Sequence, residues 1–285
     1  MNLYRRIVNK IIRSSINSSP AIKQDFFWLL TDHLKKNSGD LDFVLNRLSK
    51  ELAVEIDKYP SAFNDGYLHI HKAIEYAMHY NLHEKQIIID VGAALGVTAQ
   101  KFSKAFPTSD VYAFEPMPST FQSLDKNVSA NKKIIPVNKG LGKEEGEFTI
   151  HLSKRITSSS FLEMKKNISN EFFSDNIKEV GAETVKVSTL DKEIPADKSI
   201  SILKMDVQGY ELEVLKGGTE TLKRTALILV EMQNHDLYSN APMYYDIDLF
   251  LREHGFELQD IIPSIRQDKK LYEWDGIYIN KNILK

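Results

Sequence analysis

The chain has no cysteine, and that absence excludes disulfide frameworks, thiolate zinc sites, iron–sulfur clusters and cysteine nucleophiles together. Long apolar runs are missing as well: no stretch approaches the roughly 18 residues that a membrane-spanning helix needs. Neither sign of charge is in excess, with 37 basic and 39 acidic residues among 285, so the chain carries no overall footprint for nucleic acid and no such partner is expected. The N-terminus lacks the apolar core and small-residue cleavage site of a secretory signal, which points to a cytoplasmic address. Carboxylates are absent from the first 24 positions, where Arg5, Arg6, Lys10, Arg13 and Lys23 precede Asp25. What remains is an ordinary globular composition, 42% hydrophobic and 27% charged, long enough for one large domain with an appended segment.

Wound on a helix, Leu3–Arg13 sets Leu3, Ile7, Val8, Ile11 and Ile12 on one half and Arg5, Arg6, Lys10 and Arg13 on the other. A basic amphipathic helix of this kind suits peripheral contact with an anionic membrane or docking to a partner. A terminal helix packed on its own domain, or on a second copy in a homo-oligomer, has the same pattern. Helical periodicity continues to about His83, broken near Asn37–Asp40 and at Tyr59-Pro60. The expected organisation is therefore a helical N-terminal segment over residues 1–83 and a second domain over residues 84–285. His69, His71, His79 and His83 have only Glu75 as a companion carboxylate at ligand spacing, a poor set for a metal.

From Gln86 the pattern alternates. Apolar runs at Ile87–Asp90, Val111–Phe114, Lys133–Val137, Ile200–Met205, Leu227–Glu231 and Phe256–Asp260 are interspersed with helical stretches such as Thr98–Phe106, Glu211–Lys216 and Ile247–Glu253. Alternation requires crossover connections, hence an α/β fold with a doubly wound, mostly parallel sheet. Gly276–Asn280 reads as one more strand reached without a convincing helix, so it should return antiparallel. Glu147–Leu152 and Glu183–Val187 read as extra extended segments bracketing a polar loop, Lys154–Gly181.

The first strand runs into Asp90-Val91-Gly92-Ala93-Ala94-Leu95-Gly96, a glycine turn that opens a helix. Ligands of open α/β sheets bind at the carboxyl ends of the strands, where such a turn lets backbone approach a nucleotide-like group. The second strand ends in Glu115-Pro116, and Glu115 lies 23 residues beyond Gly92; a carboxylate there can accept both hydroxyls of a ribose. A dinucleotide fingerprint needs glycines at 94 and 97, which are Ala94 and Val97, so an NAD-dependent dehydrogenase is the weaker reading. The spacing D-x-G-x-x-x-G suits the methionine end and ribose of S-adenosylmethionine, which has no pyrophosphate to place. Asp90, Gly92, Ala93, Gly96, Thr98 and Glu115 are the expected cofactor residues, with Met117 and Leu141 placed either to sandwich the adenine or to pack as ordinary core.

These pieces, the run Lys204-Met205-Asp206-Val207-Gln208-Gly209-Tyr210-Glu211-Leu212-Glu213-Val214-Leu215-Lys216-Gly217, and the ending Gly255-Phe256-Glu257-Leu258 followed by Trp274-Asp275 together resemble the FkbM-type methyltransferase family over about residues 86–280. The chain departs from the family at Ala94-Leu95, where relatives often carry Asn. The resemblance implies the class I methyltransferase fold, preceded here by the N-terminal segment. It also implies S-adenosylmethionine as donor and transfer to an oxygen, often a hydroxyl of a glycan or another metabolite.

Methyl transfer from a sulfonium needs positioning, desolvation and removal of the acceptor proton. Asp206 ends the third long parallel run, Glu231 ends the next and His235 follows within four residues, so Asp206, Glu231 and His235 form the expected catalytic cluster. The base is not assigned among them. Asp206 has two further readings: holding a divalent cation that acidifies the hydroxyl, or capping the helix that follows. The turn Asp206-Val207-Gln208-Gly209 lacks the Asn-Pro-Pro-Tyr-like pattern of amino-group methylation, which favours oxygen. Thr157–Phe161 offers hydroxyls to a sugar or to the cofactor carboxylate, or forms a plain loop. Tyr238, Tyr244 and Tyr245 suit stacking on a sugar ring or stapling a loop, and Asp275 suits the acceptor pocket or a turn. A cofactor-binding scaffold without catalysis, working through the N-terminal helices, is the alternative from outside enzymology.

Overall fold

The computed structural model describes residues 67–82, 86–154, 158–163, 165, 179–235, 237–267 and 269–284. The helical readings for Leu3–Arg13 and for residues 24–66 lie outside the described residues, as does Thr157. Apart from Tyr67 and Leu68, everything described belongs to one unit, His69–Lys285.

The apolar runs are strands. β1 (Ile87–Val91), β2 (Asp110–Phe114), β3 (Ile134–Val137), β7 (Ile200–Met205), β8 (Thr225–Gln233), β9 (Phe256–Gln267) and β10 (Lys270–Asn280) form one sheet in the order β3-β2-β1-β7-β8-β10-β9. β1, β2, β3, β7 and β8 are mutually parallel, and β10 runs antiparallel to both β8 and β9. This is the class I methyltransferase architecture expected from the sequence. β1 and β7 are buried at every position, as central parallel strands covered on both faces must be. The strand order reverses between β1 and β7, and the crevice outside their carboxyl ends is where such sheets bind ligands.

The helices α2 (Val97–Ala105), α3 (Pro118–Val128), α5 (Glu211–Lys216), α6 (Thr219–Leu222) and α7 (Tyr244–Glu253) lie between these strands in the chain, with a short α4 (Leu190–Glu193) before β7. The main core gathers Ile89, Phe114, Leu203, Val214, Ile228, Ile247 and Tyr278 among others. The first described helix, α1 (Leu68–His79), buries Ile70, Ala73 and Ala77. Its Tyr76 hydroxyl donates to Asp260 Oδ2 at 3.4 Å and its His69 Nδ1 lies 3.8 Å from Asp275 Oδ2. These contacts tie α1 to the β9–β10 hairpin, although the sequence pattern groups it with the N-terminal segment.

β9 and β10 outrun the expected Phe256–Asp260 and Gly276–Asn280 at their shared end and form a long hairpin. The two extra extended segments build a separate three-stranded sheet, β4 (Gly140–Leu141), β5 (Gly146–Ser153) and β6 (Glu179–Ser188), in the order β4-β6-β5. Its inner residues Ile150 and Val185 pack with Met117, and Leu152 and Phe161 lean on that cluster. This sheet therefore forms a wall beside the end of β2.

Candidate active site

A cleft with about 600 Å³ of empty space, its open mouth included, is lined by Gly92, Ala94, Glu115, Pro116, Met117, Ile150, Ser159, Ser160, Phe161, Asp206, Val207 and Gln208. Three strand ends contribute: the turn after β1, the Glu115 corner after β2 and the turn after β7.

The glycine turn is dictated by close approach. Gly92 sits at φ +76°, and a Cβ there would lie 2.0 Å from the backbone oxygen of Asp206, a distance no side chain tolerates. Gly92 and Ala93 donate their N–H groups to Phe114 O at 3.1 and 2.9 Å, which stitches the turn to β2. Gly96 is at φ +83°, where a Cβ would meet Leu124 Cδ1 at 2.6 Å, so α3 packs on the turn only because this position is bare. Ala94 adopts φ +47°, a left-handed conformation costly for a residue with a Cβ and more readily taken by Asn. The departure from the family pattern thus falls on a strained position.

Glu115 is 4% exposed and lines the cleft. Its Oε2 accepts from Ala94 N and its Oε1 from Met117 N, each at 3.0 Å. Burial pushes its carboxyl up to about 7 against the opposing pull of those two N–H groups. Asn138 Nδ2 donates to the carbonyls of Glu115 and Pro116 at 2.9 and 3.0 Å and so fixes the corner.

Of the expected cofactor residues, Gly92, Glu115 and Met117 line the cleft, joined by Ala94. Asp90, Ala93, Gly96, Thr98 and Leu141 do not appear in its lining. Asp90 is fully buried and paired with Lys204, Nζ to Oδ1 at 3.1 Å, and Lys204 also donates to the carbonyls of Val91 and Gly92 at 3.3 and 3.1 Å. Burial opposes the Lys204 ammonium, but Asp90, Asp206 and Asp275 outweigh it and hold its pKa above the ordinary value. One buried cation thereby ties β1 to β7 below the cleft. Leu141 is core.

At the acceptor end, Asp206 lines the cleft and keeps 39% of its side chain exposed. It is not the helix cap: α5 starts from Tyr210 without a side-chain cap, and the buried Glu211 accepts from Val207 N at 2.9 Å and Gly209 N at 3.3 Å instead. Gln208 Nε2 donates to Asp206 Oδ1 at 2.8 Å and to Glu231 Oε2 at 3.0 Å, which brings two of the three expected catalytic residues together. His235 stands one step removed, its Nε2 on Glu273 Oε1 at 2.8 Å and its Nδ1 accepting from Leu237 N at 3.2 Å. Glu231 faces Asp275 across the β8–β10 ladder. Burial first, then the charges of Asp206, Glu273, Glu211 and Asp275, hold Glu231 well above the usual carboxylate range. Asp275 lies inside β10 rather than in a turn, and burial and Asp206 raise it likewise.

Ser159, Ser160 and Phe161 form a strap along the cleft. His151 and Ser160 exchange backbone hydrogen bonds at 2.7 and 3.1 Å. Ser160 Oγ donates to Gln208 O at 2.7 Å, and the Phe161 ring packs 5.0 Å from that of Tyr210. Tyr238 is 3% exposed and staples this strap, its hydroxyl within 3.1 Å of both Ser158 O and Gln208 Oε1, whereas Tyr244 and Tyr245 are exposed. Among the described residues no group of three or more His, Asp or Glu side chains is arranged to hold a metal ion. Lys204, Gln208 and Ile150 have no assigned role in the sequence reading. Lys204 had a signal, since a charge inside a run that is otherwise apolar requires an internal partner.

The family model for the methyltransferase FkbM domain matches residues 90–258. The chain belongs to the FkbM methyltransferase family. Three curated relatives fit that membership. The chain is 30% identical to the hexuronic acid methyltransferase AglP of Haloferax volcanii, over 52% of this chain and 56% of that protein. It is 28% identical to methyltransferase 1 of Beauveria bassiana, over 47% and 59%. It is 27% identical to the 2-O-methyltransferase NoeI of Sinorhizobium fredii, over 62% and 74%. For the first two of these FkbM relatives the alignment thus spans less than two thirds of their length. Among the described residues, no helix is long and apolar enough to cross a membrane.

Proposed function

We propose that this FkbM-family chain transfers a methyl group from S-adenosylmethionine to a hydroxyl of a sugar or another metabolite. The observation that carries the reading is the convergence, on one cleft, of the buried Glu115 carboxylate beside a left-handed glycine turn and of the half-exposed Asp206 carboxylate at the neighbouring strand end. The donor set fits the cofactor. Glu115 would accept the ribose hydroxyls, Met117 and Pro116 would bracket the adenine, and the Gly92–Ala94 backbone would receive the methionine end. When bound, the cofactor supplies an electrophilic methyl on a sulfonium.

The chain's own part is to orient the acceptor, exclude water and take one proton. Asp206 faces the cleft and would take the hydroxyl proton as the oxygen–methyl bond forms and the methyl–sulfur bond breaks, the products being a methyl ether and S-adenosylhomocysteine, and would then release that proton to solvent. Glu231 sits behind it, its carboxyl pushed well above the usual carboxylate range by burial and by the neighbouring acidic groups. An oxygen acceptor on a sugar is favoured by two of the relatives, one a hexuronic acid methyltransferase and the other a 2-O-methyltransferase. The dehydrogenase alternative is weakened by Ala94 and Val97 in place of glycines.

The test is titration of the purified protein with S-adenosylhomocysteine in one series and NADH in another. Binding of the first alone, followed by methylation of a uronic-acid glycoside that Asp206→Asn abolishes without loss of S-adenosylhomocysteine affinity, is the expected result. Affinity for NADH alone overturns the reading. S-adenosylhomocysteine binding with no turnover on any hydroxyl favours the non-catalytic scaffold.

A further inference from the structure

Gln208 is the most connected polar side chain at the cleft. Its Nε2 spends both hydrogens on carboxylates, Asp206 Oδ1 at 2.8 Å and Glu231 Oε2 at 3.0 Å. Its Oε1 lies 3.1 Å from the Tyr238 hydroxyl, whose one hydrogen it shares with Ser158 O at the same distance, and its backbone carbonyl accepts from Ser160 Oγ at 2.7 Å. The amide has only one orientation that satisfies these partners, because the reverse would set its oxygen against two carboxylates. Its backbone is strained: Gln208 lies at φ +58°, followed by Gly209 at φ +91°. Glycine would relieve the strain at 208, but only a side chain of this length reaches both carboxylates, and strain kept at a site is a pointer to a role.

We propose that Gln208 is a positioning residue, whose amide aims the Asp206 carboxylate at the acceptor and meets the strap of residues 158–161 through Tyr238, while Ser160 of the strap holds its backbone carbonyl. The inference rests on Asp206 being the base, as argued above. Its consequence is that the position of the strap and the alignment of the base are set at one residue, the strap held at the backbone carbonyl of Gln208 and the base at its amide.

Charge explains why the residue is an amide. The groups facing the Asp206–Glu231 pair are Glu211 from α5, Glu273 and Asp275 from β10, Lys204 from β7 and, behind it, Asp90 from β1. His235 is spent on Glu273, His69 stands beside Asp275, and Tyr238 reaches Gln208 itself. A carboxylate at 208 would join six other acidic groups, Asp90 included, around one buried lysine, whereas the neutral amide supplies two donors without adding charge.

The test uses Gln208→Met, which keeps length and Cβ but has no donors, with Gln208→Glu and Tyr238→Phe beside it. The probes are S-adenosylhomocysteine binding, methylation of a uronic-acid glycoside, and carbon-13 NMR titration of the Glu231 carboxyl, assigned with Glu231→Gln. For Gln208→Met the expected result is S-adenosylhomocysteine affinity and cofactor KM within about twofold of wild type. Turnover should fall by about a hundredfold, the scale of a misplaced reacting group. The Glu231 titration should move upward, because the ionised form loses a donor. Gln208→Glu should fall at least as far, and Tyr238→Phe in the same direction by less.

Turnover of Gln208→Met within about threefold of wild type, or an unmoved Glu231 titration, overturns the proposal. Lost S-adenosylhomocysteine binding overturns it too, since the residue would then serve the cofactor. If the wild-type protein methylates no hydroxyl, the function proposed above fails separately, and the Glu231 titration alone decides the placement of Gln208. Should Gln208→Met not fold, Tyr238→Phe carries the test with both carboxylates intact.

Discussion

Glu115 should make cofactor binding a proton-releasing event. In the free protein burial holds its carboxyl at about 7, against 4.5 for an unhindered glutamate. That displacement, at about 1.4 kcal/mol per pH unit, means that ionising Glu115 costs the empty fold about 3 kcal/mol. The sign follows from the direction: the folded protein binds this proton more tightly than the unfolded chain does. The associated stability is complete below 4.5 and is lost as pH rises through about 7. Ribose hydroxyls donate to the ionised form and reverse the preference. At pH 6, where about nine-tenths of the free protein carries the proton, binding should expel about 0.9 proton per ligand, and affinity should rise about tenfold per pH unit until it flattens above 7. Isothermal titration with S-adenosylhomocysteine in two buffers of different ionisation enthalpy counts the protons directly. Glu115→Gln should bind about 1.5–3 kcal/mol more weakly at pH 8, from losing a charged hydrogen-bond partner, and should release no proton from this site. Equal proton release by the two proteins at pH 6, or a wild-type affinity flat between pH 5 and 7, would refute the placement of Glu115 on the ribose.

Lys204→Met should destabilise the fold by about 3–5 kcal/mol, because Asp90 would be left charged and buried without its cation; urea unfolding should show a smaller loss at acid pH, where Asp90 takes up a proton. Gly92→Ala should cost about 2 kcal/mol or more, since left-handed backbone strain adds to a Cβ built 2.0 Å from Asp206 O; S-adenosylhomocysteine binding should fall with it. Ala94→Asn should raise stability by about 0.5–1 kcal/mol, read as a higher thermal midpoint, because Asn tolerates the φ of +47° that Ala adopts there.

The central sheet was legible because β1, β7 and β8 are covered on both faces and so read as largely apolar runs, interrupted only at a few positions such as Asp90 and Lys204. The outer half of the β9–β10 hairpin was not. Ile261 is exposed while Ile262 is buried, and polar residues such as Ser264 and Glu273 interrupt the run, so no clean period marks residues beyond Asp260. The cofactor corner was readable from short-range spacing, Gly92 to Glu115. The polar hub was hidden for the opposite reason. Gln208 was in plain sight within the motif, yet its partners Glu231, Tyr238 and Ser160 come from other parts of the chain, and its left-handed backbone leaves no mark in an isolated sequence. His235 was read from its proximity in sequence to Glu231; it lies just beyond the end of β8, and its ring pairs with Glu273, a partner 38 residues away that the sequence does not announce.

The small sheet is spliced into the chain between β3 and β7, and none of its strands pairs with the central sheet. Gly140–Leu141 leads into it and Val187-Ser188 leads out, and these two pairs lie side by side as parallel bridge partners. Entrance and exit therefore share one doorway, and the segment between them is a cassette. It supplies Ile150 and the strap to one wall of the cleft, while Gly92, Glu115 and Asp206 stay on the frame. Exchanging that cassette between related enzymes should transplant acceptor preference while leaving cofactor affinity in place, provided the graft keeps the hydrogen bonds by which Ser160 and the Ser158 carbonyl meet Gln208 and Tyr238 on the frame.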